Sequence, residues 1–176
     1  MKKGSFSILF AIFVLFFSCE KKHIPKTVEM KNKEHKKVIY QVFTRLFGNY
    51  NTTNKPWGTI EENGVGKFND FTDKALSEIR DLGVTHIWYT GVLHHAMVAD
   101  YTKYGISNDD PDVVKGRAGS PYAVKDYYSV DPDLAVDPSK RMEEFDALIE
   151  RNHGQDMKVI IDIVPNHIAR KYEGLN

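Results

Sequence analysis

Three polar side chains that can do chemistry stand at the end of one short apolar stretch. Asp162 interrupts that stretch, and Asn166 and His167 follow it directly. Together a carboxylate, an amide and an imidazole accept and donate hydrogen bonds to a polar ligand. The β-branched residues at 159–164 predict a buried strand of a parallel sheet, because both faces of such a strand are covered. Open α/β sheets and α/β barrels build their sites at the carboxyl ends of such strands.

The strand that ends at these residues is the last of five elements that the sequence predicts. In chain order these are a strand at 38–43, a helix from a cap at Asn69 or Asp70 to Gly83, a strand at 84–89, a helix from Asp137 to Gly154 and a strand at 157–164. The apolar stripes expected to bury the two helices are Phe71, Ala75, Leu76, Ile79 and Leu82, and then Met142, Phe145, Leu148 and Ile149. This βαβαβ order predicts an α/β fold with a parallel sheet and right-handed crossovers.

A long polar segment separates the second strand from the second helix. Residues 90–136 are punctuated by Gly and Pro, so no single regular element is expected there, and 49–66 is likewise expected to be loop. Loops of this length in a compact domain are usually functional. Since the segment leaves the carboxyl end of the second strand, this topology gathers 90–128 and Asn166-His167 on one rim of the sheet.

Composition narrows the class of protein. The 176 residues carry 24 basic and 24 acidic side chains, and this zero formal net charge argues against a nucleic-acid partner, which normally meets a basic face. A hydrophobic content of 41% suits one packed domain better than a disordered chain. Cys19 is the only cysteine, so the chain cannot form an internal disulfide.

The first residues have the order of a secretory signal. Lysines at 2 and 3 precede an apolar run at 8–17, and Ser18-Cys19 follows. The run is shorter than the about 20 apolar residues that a transmembrane helix needs. A cysteine at this place resembles the lipidated first residue of a mature bacterial lipoprotein. Residues 1–19 are therefore interpreted as a lipoprotein-type signal peptide with membrane attachment through Cys19, and ordinary secretion or an uncleaved anchor are the alternatives.

A charged segment joins this leader to the predicted domain at 38–176. Residues 20–37 lack any periodicity, so we expect a solvated tether that holds the domain away from the bilayer. The expected location is the cell envelope, with the protein lipid-anchored at the periplasmic or outer-membrane surface, or else secreted.

Four segments of the domain carry motifs that occur together in one enzyme family. They are 64–68, 83–90, 120–128 with Tyr122 four residues before Asp126, and 162–167 with the pattern Asp-x-x-x-Asn-His. In this order they resemble the α-amylase family, glycoside hydrolase family 13, over about 38–176. Gly91 departs from the family pattern, which usually has proline at that place.

The resemblance implies an incomplete (β/α)8 TIM barrel with strands 1–3 of 8. A whole barrel takes about 250 residues, more than 38–176 provides. The implied activity is retaining hydrolysis of α-1,4-glucosidic bonds in starch or maltooligosaccharides, with an α-glucan as the partner. In the family the nucleophilic Asp, the acid/base Glu and a third carboxylate belong to strands four, five and seven. We expect them beyond the end of this chain, so no catalytic residue is named and the fragment alone is expected to be inactive.

The same resemblance gives roles to four residues. Tyr122 would stack beneath the glucose at the cleavage subsite, with a core tyrosine as the alternative. His167 would hydrogen-bond the 6-hydroxyl of that glucose, with a structural histidine bound to backbone as the alternative. Asp162 would orient the neighbours of the nucleophile. Asn166 would give its amide oxygen to calcium in the full-length enzyme, whereas no cofactor is expected for this fragment.

Some interpretations stay open at this level. The pair His94-His95 allows a metal site, but polarity at the rim or at a sugar subsite is favoured. Trp57 and Tyr104 are candidate outer sugar platforms that the sequence does not rank. Besides an amylase fragment, the sequence is compatible with a non-catalytic surface glucan-binding lipoprotein or a nonfunctional truncated product. The sequence does not separate a hydrolase from a transglycosylase.

Overall fold

The strands of the described residues, 36–174 of a computed structural model, form two sheets. The first sheet is parallel, with the order β1-β2-β5, and consists of β1 (Ile39–Phe43), β2 (His86–Thr90) and β5 (Lys158–Ile161). The second sheet is an antiparallel pair of β3 (Leu93–His95) and β4 (Val124–Val130). In the parallel sheet Gln41 lies opposite Trp88, which lies opposite Ile160. The three predicted strands are present, although the last one ends at Ile161 and not at residue 164. The prediction that this strand is buried on both faces is wrong for the described residues, because β5 lies at the edge of the sheet and its side chains are half-buried or exposed.

Three helices connect these strands: α1 (Ile60–Asn63), α2 (Asp73–Asp81) and α3 (Arg141–Gly154). The predicted cap of α2 at Asn69 or Asp70 is wrong, because those residues lie in a 3-10 turn at Phe68–Asp70. Thr72 caps the helix instead, and its hydroxyl accepts a hydrogen bond from the Ala75 N–H at 3.2 Å. The stop at Gly83 is confirmed by its left-handed φ of 85°.

Two residues of the predicted helix stripes are exposed. Leu82 is 74% exposed because it follows the last residue of α2, where the backbone has already left the helical path. Met142 is 39% exposed and lies in the first turn of α3, one turn before the buried Phe145. Ala75 and Ile149 are half-buried, and the remaining stripe residues are buried as expected, namely Phe71, Leu76, Ile79, Phe145 and Leu148.

The apolar core lies on one face of the parallel sheet. Because side chains alternate along a strand, Val42, Ile87 and Tyr89 share a face, and there they pack with Leu76 of α2 and Leu148 of α3. The opposite face carries side chains that are less deeply buried, namely Gln41, Phe43, Trp88 and Ile160. In a closed barrel the helices lie outside and this second face points inwards.

The segment at 90–136 is more regular than its sequence predicts. It contains β3 and β4, whose pairing brings His95 opposite Val124 across almost thirty residues. The expected alternation is hidden because both faces of these strands bury polar groups, among them His94, Lys125 and Ser129. The loop at 49–66 likewise contains the single-turn α1, which Thr59 and Glu62 stabilise with a capping box.

The predicted signal peptide at 1–19, its Cys19 and nearly all of the tether at 20–37 lie outside the described residues. Residues 36 and 37, at the end of the tether, are exposed. Of the helices in 36–174, none combines the length and the apolar content that a membrane crossing requires.

Candidate functional site

Hydrogen bonds tie the carboxyl ends of β1 and β2 together. The Gln41 side-chain amide donates to the Thr90 hydroxyl at 2.9 Å, and the Thr44 hydroxyl donates to the Thr90 carbonyl at 3.0 Å. Thr44 and Thr90 are both buried. A buried bond between side chain and backbone holds its groups in one geometry, because breaking it leaves a polar atom without a partner. The rim of the sheet is therefore fixed at these two strands.

Asp162 joins the same rim through Gly91. The carboxylate follows the last residue of β5, and its Oδ1 accepts a hydrogen bond from the Gly91 N–H at 3.3 Å. Gly91 has a φ of 77°, and a Cβ added to it would lie 2.9 Å from the Phe43 ring. Proline fixes φ near −65° and has no N–H. Gly91 can therefore give Asp162 a hydrogen bond that a proline at this position could not.

Tyr122 stands at the open side of the rim. Its side chain is 51% exposed and lines a groove of about 520 Å³ with Gln41 and Phe43 of β1 and Thr90 of β2. This exposure contradicts the alternative of a core tyrosine. Gly119 lets the chain reach this position, because at its φ of 73° an added Cβ would lie 1.8 Å from the Ala96 carbonyl oxygen.

Asn166 and His167 are exposed on the segment that follows β5. Two hydrogen bonds hold this segment against β4 and its neighbours: Tyr127 Oη donates to the Val164 carbonyl, and the Ala169 N–H donates to the Val124 carbonyl at 2.8 Å. Neither predicted residue lines the groove of Tyr122. The structure therefore gathers Tyr122, Gln41 and Thr90 around one groove, connects Asp162 to it through Gly91, and leaves Asn166 and His167 outside it.

The adjacent histidines of β3 are buried, so the interpretation as rim or subsite polarity is wrong. Burial, with the nearby Lys125 charge, lowers the pKa of His94 to about 3, and this ring is therefore neutral at ordinary pH. His95 places Nε2 2.9 Å from the Ala118 carbonyl and Nδ1 3.2 Å from both the Leu93 carbonyl and Asp131 Oδ2. These contacts fasten the segment before Tyr122 to β3.

The acidic groups near the rim already have partners. Asp133 accepts hydrogen bonds from Arg45 Nη1 at 2.7 Å and from Tyr101 Oη at 2.6 Å. Within 36–174 no group of three or more His, Cys, Asp or Glu side chains is placed to hold a metal ion. Calcium takes 6–8 oxygen ligands, so the residues around Asn166 do not by themselves fit a calcium site.

Sequence reasoning missed two residues of the groove, Gln41 and Thr90. Gln41 is the polar member of an otherwise apolar strand, and Thr90 ends the next strand. A polar side chain at an inward position of a barrel strand was the available signal, because such positions normally carry bulky apolar residues.

The described domain is similar to proteins of one family. Residues 41–175 match the family described as "Alpha amylase, catalytic domain". The chain is 28% identical over 138 residues to a trehalose-6-phosphate hydrolase of Bacillus subtilis, covering 78% of this chain and 18% of that protein. It is 31% identical over 149 residues to pullulanase A of Streptococcus pneumoniae, covering 76% of this chain and 10% of that protein.

Two solved structures agree with this match. An α-amylase from Lactobacillus plantarum aligns with a TM-score of 0.52 and 30% identity over 77% of this chain and 24% of its own. A trehalose-6-phosphate hydrolase from Bacillus licheniformis aligns with a TM-score of 0.51 and 25% identity over 78% of this chain and 18% of its own. The predicted fold, three strands of an incomplete (β/α)8 barrel, is confirmed. The chain spans less than a quarter of the length of each of these relatives.

Proposed function

This chain belongs to the α-amylase catalytic-domain family, and from that premise we propose that its natural protein is a retaining glycoside hydrolase of the α-amylase type. Its proposed substrates are starch and maltooligosaccharides, which it cleaves at α-1,4-glucosidic bonds. Two findings support this proposal, namely the family match over 41–175 and the similarity to a trehalose-6-phosphate hydrolase. The groove of Tyr122 is the proposed binding place for one glucosyl unit.

The single observation that carries this proposal is the exposed side chain of Tyr122 in a groove that polar side chains also line. A glucose ring has an apolar C–H face and a polar rim, so an aromatic face covers the first while hydrogen-bonding groups meet the second. Thr90 and Gln41 lie in the same groove and offer a hydroxyl and an amide. Such a site holds a sugar in one orientation, which is the first requirement for cleaving one particular bond.

Retaining hydrolysis needs two carboxyl groups about 5–5.5 Å apart, one as nucleophile and one as acid and then base. Asp162 accepts the Gly91 N–H, and Asp133 is occupied by Arg45 and Tyr101, so neither is assigned to these roles. We assign the nucleophile and the acid to other strands of the complete barrel. The residues of this chain bind and orient the sugar, and Asp162 positions the groups next to the nucleophile.

Three further assignments belong to the same proposal. His167, exposed on the segment after β5, donates a hydrogen bond to a sugar hydroxyl, and Asn166 supplies one amide oxygen to calcium once the complete barrel adds the remaining ligands. Cys19 carries the lipid that attaches the protein to the cell envelope. Mass spectrometry of the mature protein from membranes tests the last assignment, and an unmodified Cys19 would contradict it.

The decisive experiment compares the natural full-length protein with its Tyr122→Ala variant on maltooligosaccharides. We expect kcat/KM to fall about tenfold, because the variant loses a stacking contact of about 1.4 kcal/mol in the transition state. Tyr128→Ala is the matched control, since Tyr128 is 62% exposed on β4 but does not line the groove. An equal loss in both variants would contradict the assigned role of Tyr122.

The configuration of the product provides a second test of the proposed hydrolysis. The anomeric configuration at the first instant of cleavage, measured by proton NMR, should be α, as retention requires. Binding of maltooligosaccharides without any turnover by the full-length protein would instead identify a glucan-binding protein and overturn the proposed hydrolysis.

A further inference from the structure

A second hollow lies next to the groove of Tyr122. It has a volume of about 270 Å³ and is formed by the loop after β1 and the segment at 115–118. Lys115 lines both the hollow and the groove, so the two cavities adjoin at this residue. The segment is held in place by the Val98 N–H, which donates to the Arg117 carbonyl at 2.9 Å. A ligand that extends beyond Tyr122 in this direction enters the hollow.

The hollow carries an excess of positive charge. Arg45, Lys115 and Arg117 line it, and Asp133 is the only acid among its lining residues. Arg45 neutralises Asp133 at 2.7 Å, whereas no ion pair within residues 36–174 involves Lys115 or Arg117. Two cations therefore remain for a ligand.

Two acids outside the hollow, Glu61 and Glu62, offset these charges only in part. Glu61 and Glu62, in the first turn of α1, lie close enough to Arg117 to interact with it, but neither lines the hollow. Glu62 is already paired with Lys55 Nζ. A ligand with two negative charges consequently meets a local surplus of positive charge.

The same hollow has an aromatic wall. Trp57 is 56% exposed and lines it, and its φ of 58° is rare for so bulky a side chain. Asn54, with a φ of 47°, lines it too and offers an amide. Residues held in this backbone region cluster at ligand clamps. An exposed indole face with a neighbouring amide suits a sugar ring in the same way as the groove does.

We propose that this hollow is a second subsite for a phosphorylated glucosyl unit. Resting on the proposed function, the assignment gives the enzyme a substrate class, namely α-glucosides with a phosphate on the unit next to the one at Tyr122. A phosphate monoester carries between −1.5 and −2 charges at pH 7, which matches the two unpaired cations better than a carboxylate does. Lys115 and Arg117 bind the phosphate, and Trp57 stacks on the sugar.

The test measures binding of maltose and of maltose 6′-phosphate to the natural full-length protein by calorimetry at low ionic strength. We expect the phosphorylated sugar to bind at least about tenfold more tightly, and this ratio to shrink as salt is added. In the Lys115→Ala/Arg117→Ala variant the ratio should fall to about one. The Lys74→Ala/Lys140→Ala variant removes two exposed lysines elsewhere and should keep the ratio of the unaltered protein.

The outcomes separate this inference from the proposed function. If maltose binds or is cleaved but its phosphate gives no advantage, the phosphate subsite is wrong and the proposed function stands. If the unaltered protein neither binds nor cleaves either sugar, the proposed function is wrong as well. If inorganic phosphate competes as strongly as maltose 6′-phosphate, or if Trp57→Ala leaves sugar affinity unchanged, the sugar-binding role of the hollow is overturned.

Discussion

The parallel sheet with its helices and the segment at 91–135 are stabilised in different ways. In the sheet region most of the fully buried side chains are apolar, for example Leu76, Ile87 and Leu148, and the buried polar ones, Thr44 and Asn152, are uncharged. In the other segment the buried side chains include Lys125, His94 and Asp131. Both described regions have buried apolar side chains, but only the segment at 91–135 also buries groups that carry or can gain a charge.

This difference matters because the two kinds of burial respond differently to change. Apolar packing is non-directional, so neighbouring side chains partly make up for a lost methyl group. A buried charge depends on particular partners and is costly once one of them is removed. The segment at 91–135 carries Tyr122 and Lys115, which line the proposed sugar groove. The shape of this groove therefore depends on buried polar contacts, which become costly when one partner is removed.

Replacing Lys125 with methionine should give the largest loss of stability. Lys125 is fully buried, and its Nζ donates to the Ser107 carbonyl and to Asp109 Oδ2 at 3.2 Å, with Glu173 at 3.7 Å. The Lys125→Met variant leaves the Asp109 carboxylate buried without its cation, so we expect the free energy of unfolding to fall by about 3–5 kcal/mol.

Urea denaturation measures this loss. Lys103→Met is the control, because Lys103 is exposed and only lies over the Tyr104 ring, and its loss should be within about 1 kcal/mol. A loss below about 1 kcal/mol for Lys125→Met as well would break the contrast between the two regions, since apolar packing would then suffice in both.

Leu148→Ala should cost somewhat less, about 3 kcal/mol, because it opens a cavity in the core beneath the sheet. Leu148 is fully buried in the cluster that includes Leu76 and Ile87. Leu82→Ala removes the same atoms from a side chain that is 74% exposed, and it should change stability by less than about 0.5 kcal/mol. Denaturation of both variants under one set of conditions gives the comparison, and equal losses would show that Leu148 is not a core residue.

The last comparison concerns the pH dependence of stability. Burial raises the pKa of Asp131 from 3.8 to about 6, partly offset by His95. Between these values the folded state holds a proton that the unfolded state has released, so the contribution of Asp131 to stability falls as the pH rises from about 4 to about 6.

In the Asp131→Asn variant residue 131 cannot ionise, so this pH dependence of stability should disappear. The free energy of unfolding of the unaltered protein, relative to that of Asp131→Asn, should therefore decrease across this pH range. Asp146→Asn, which removes an exposed carboxylate of α3, is the control and should follow the unaltered protein. Superimposable pH profiles for the Asp131→Asn variant and the unaltered protein would contradict the raised pKa.

The sequence alone determined the sheet and its two main helices. The stripe with Phe145 and Leu148 predicts a buried helix face through its local periodicity, which does not depend on any distant contact. The apolar run at 159–161 predicts a strand by its β-branched composition, although its side chains are only half-buried. The family motifs also singled out Tyr122 and Asp162 by their spacing within single segments.

How these pieces meet depends on contacts between segments that are distant in the sequence. The hydrogen bond from Gly91 to Asp162 spans 71 residues, and the pairing of β3 with β4 joins segments about 30 residues apart. The charged hollow arises where Lys115 comes beside Arg45, at the end of another strand. Polar contacts of this kind produce no periodic pattern in the sequence, because each depends on one partner that is distant in the sequence and comes close only after folding.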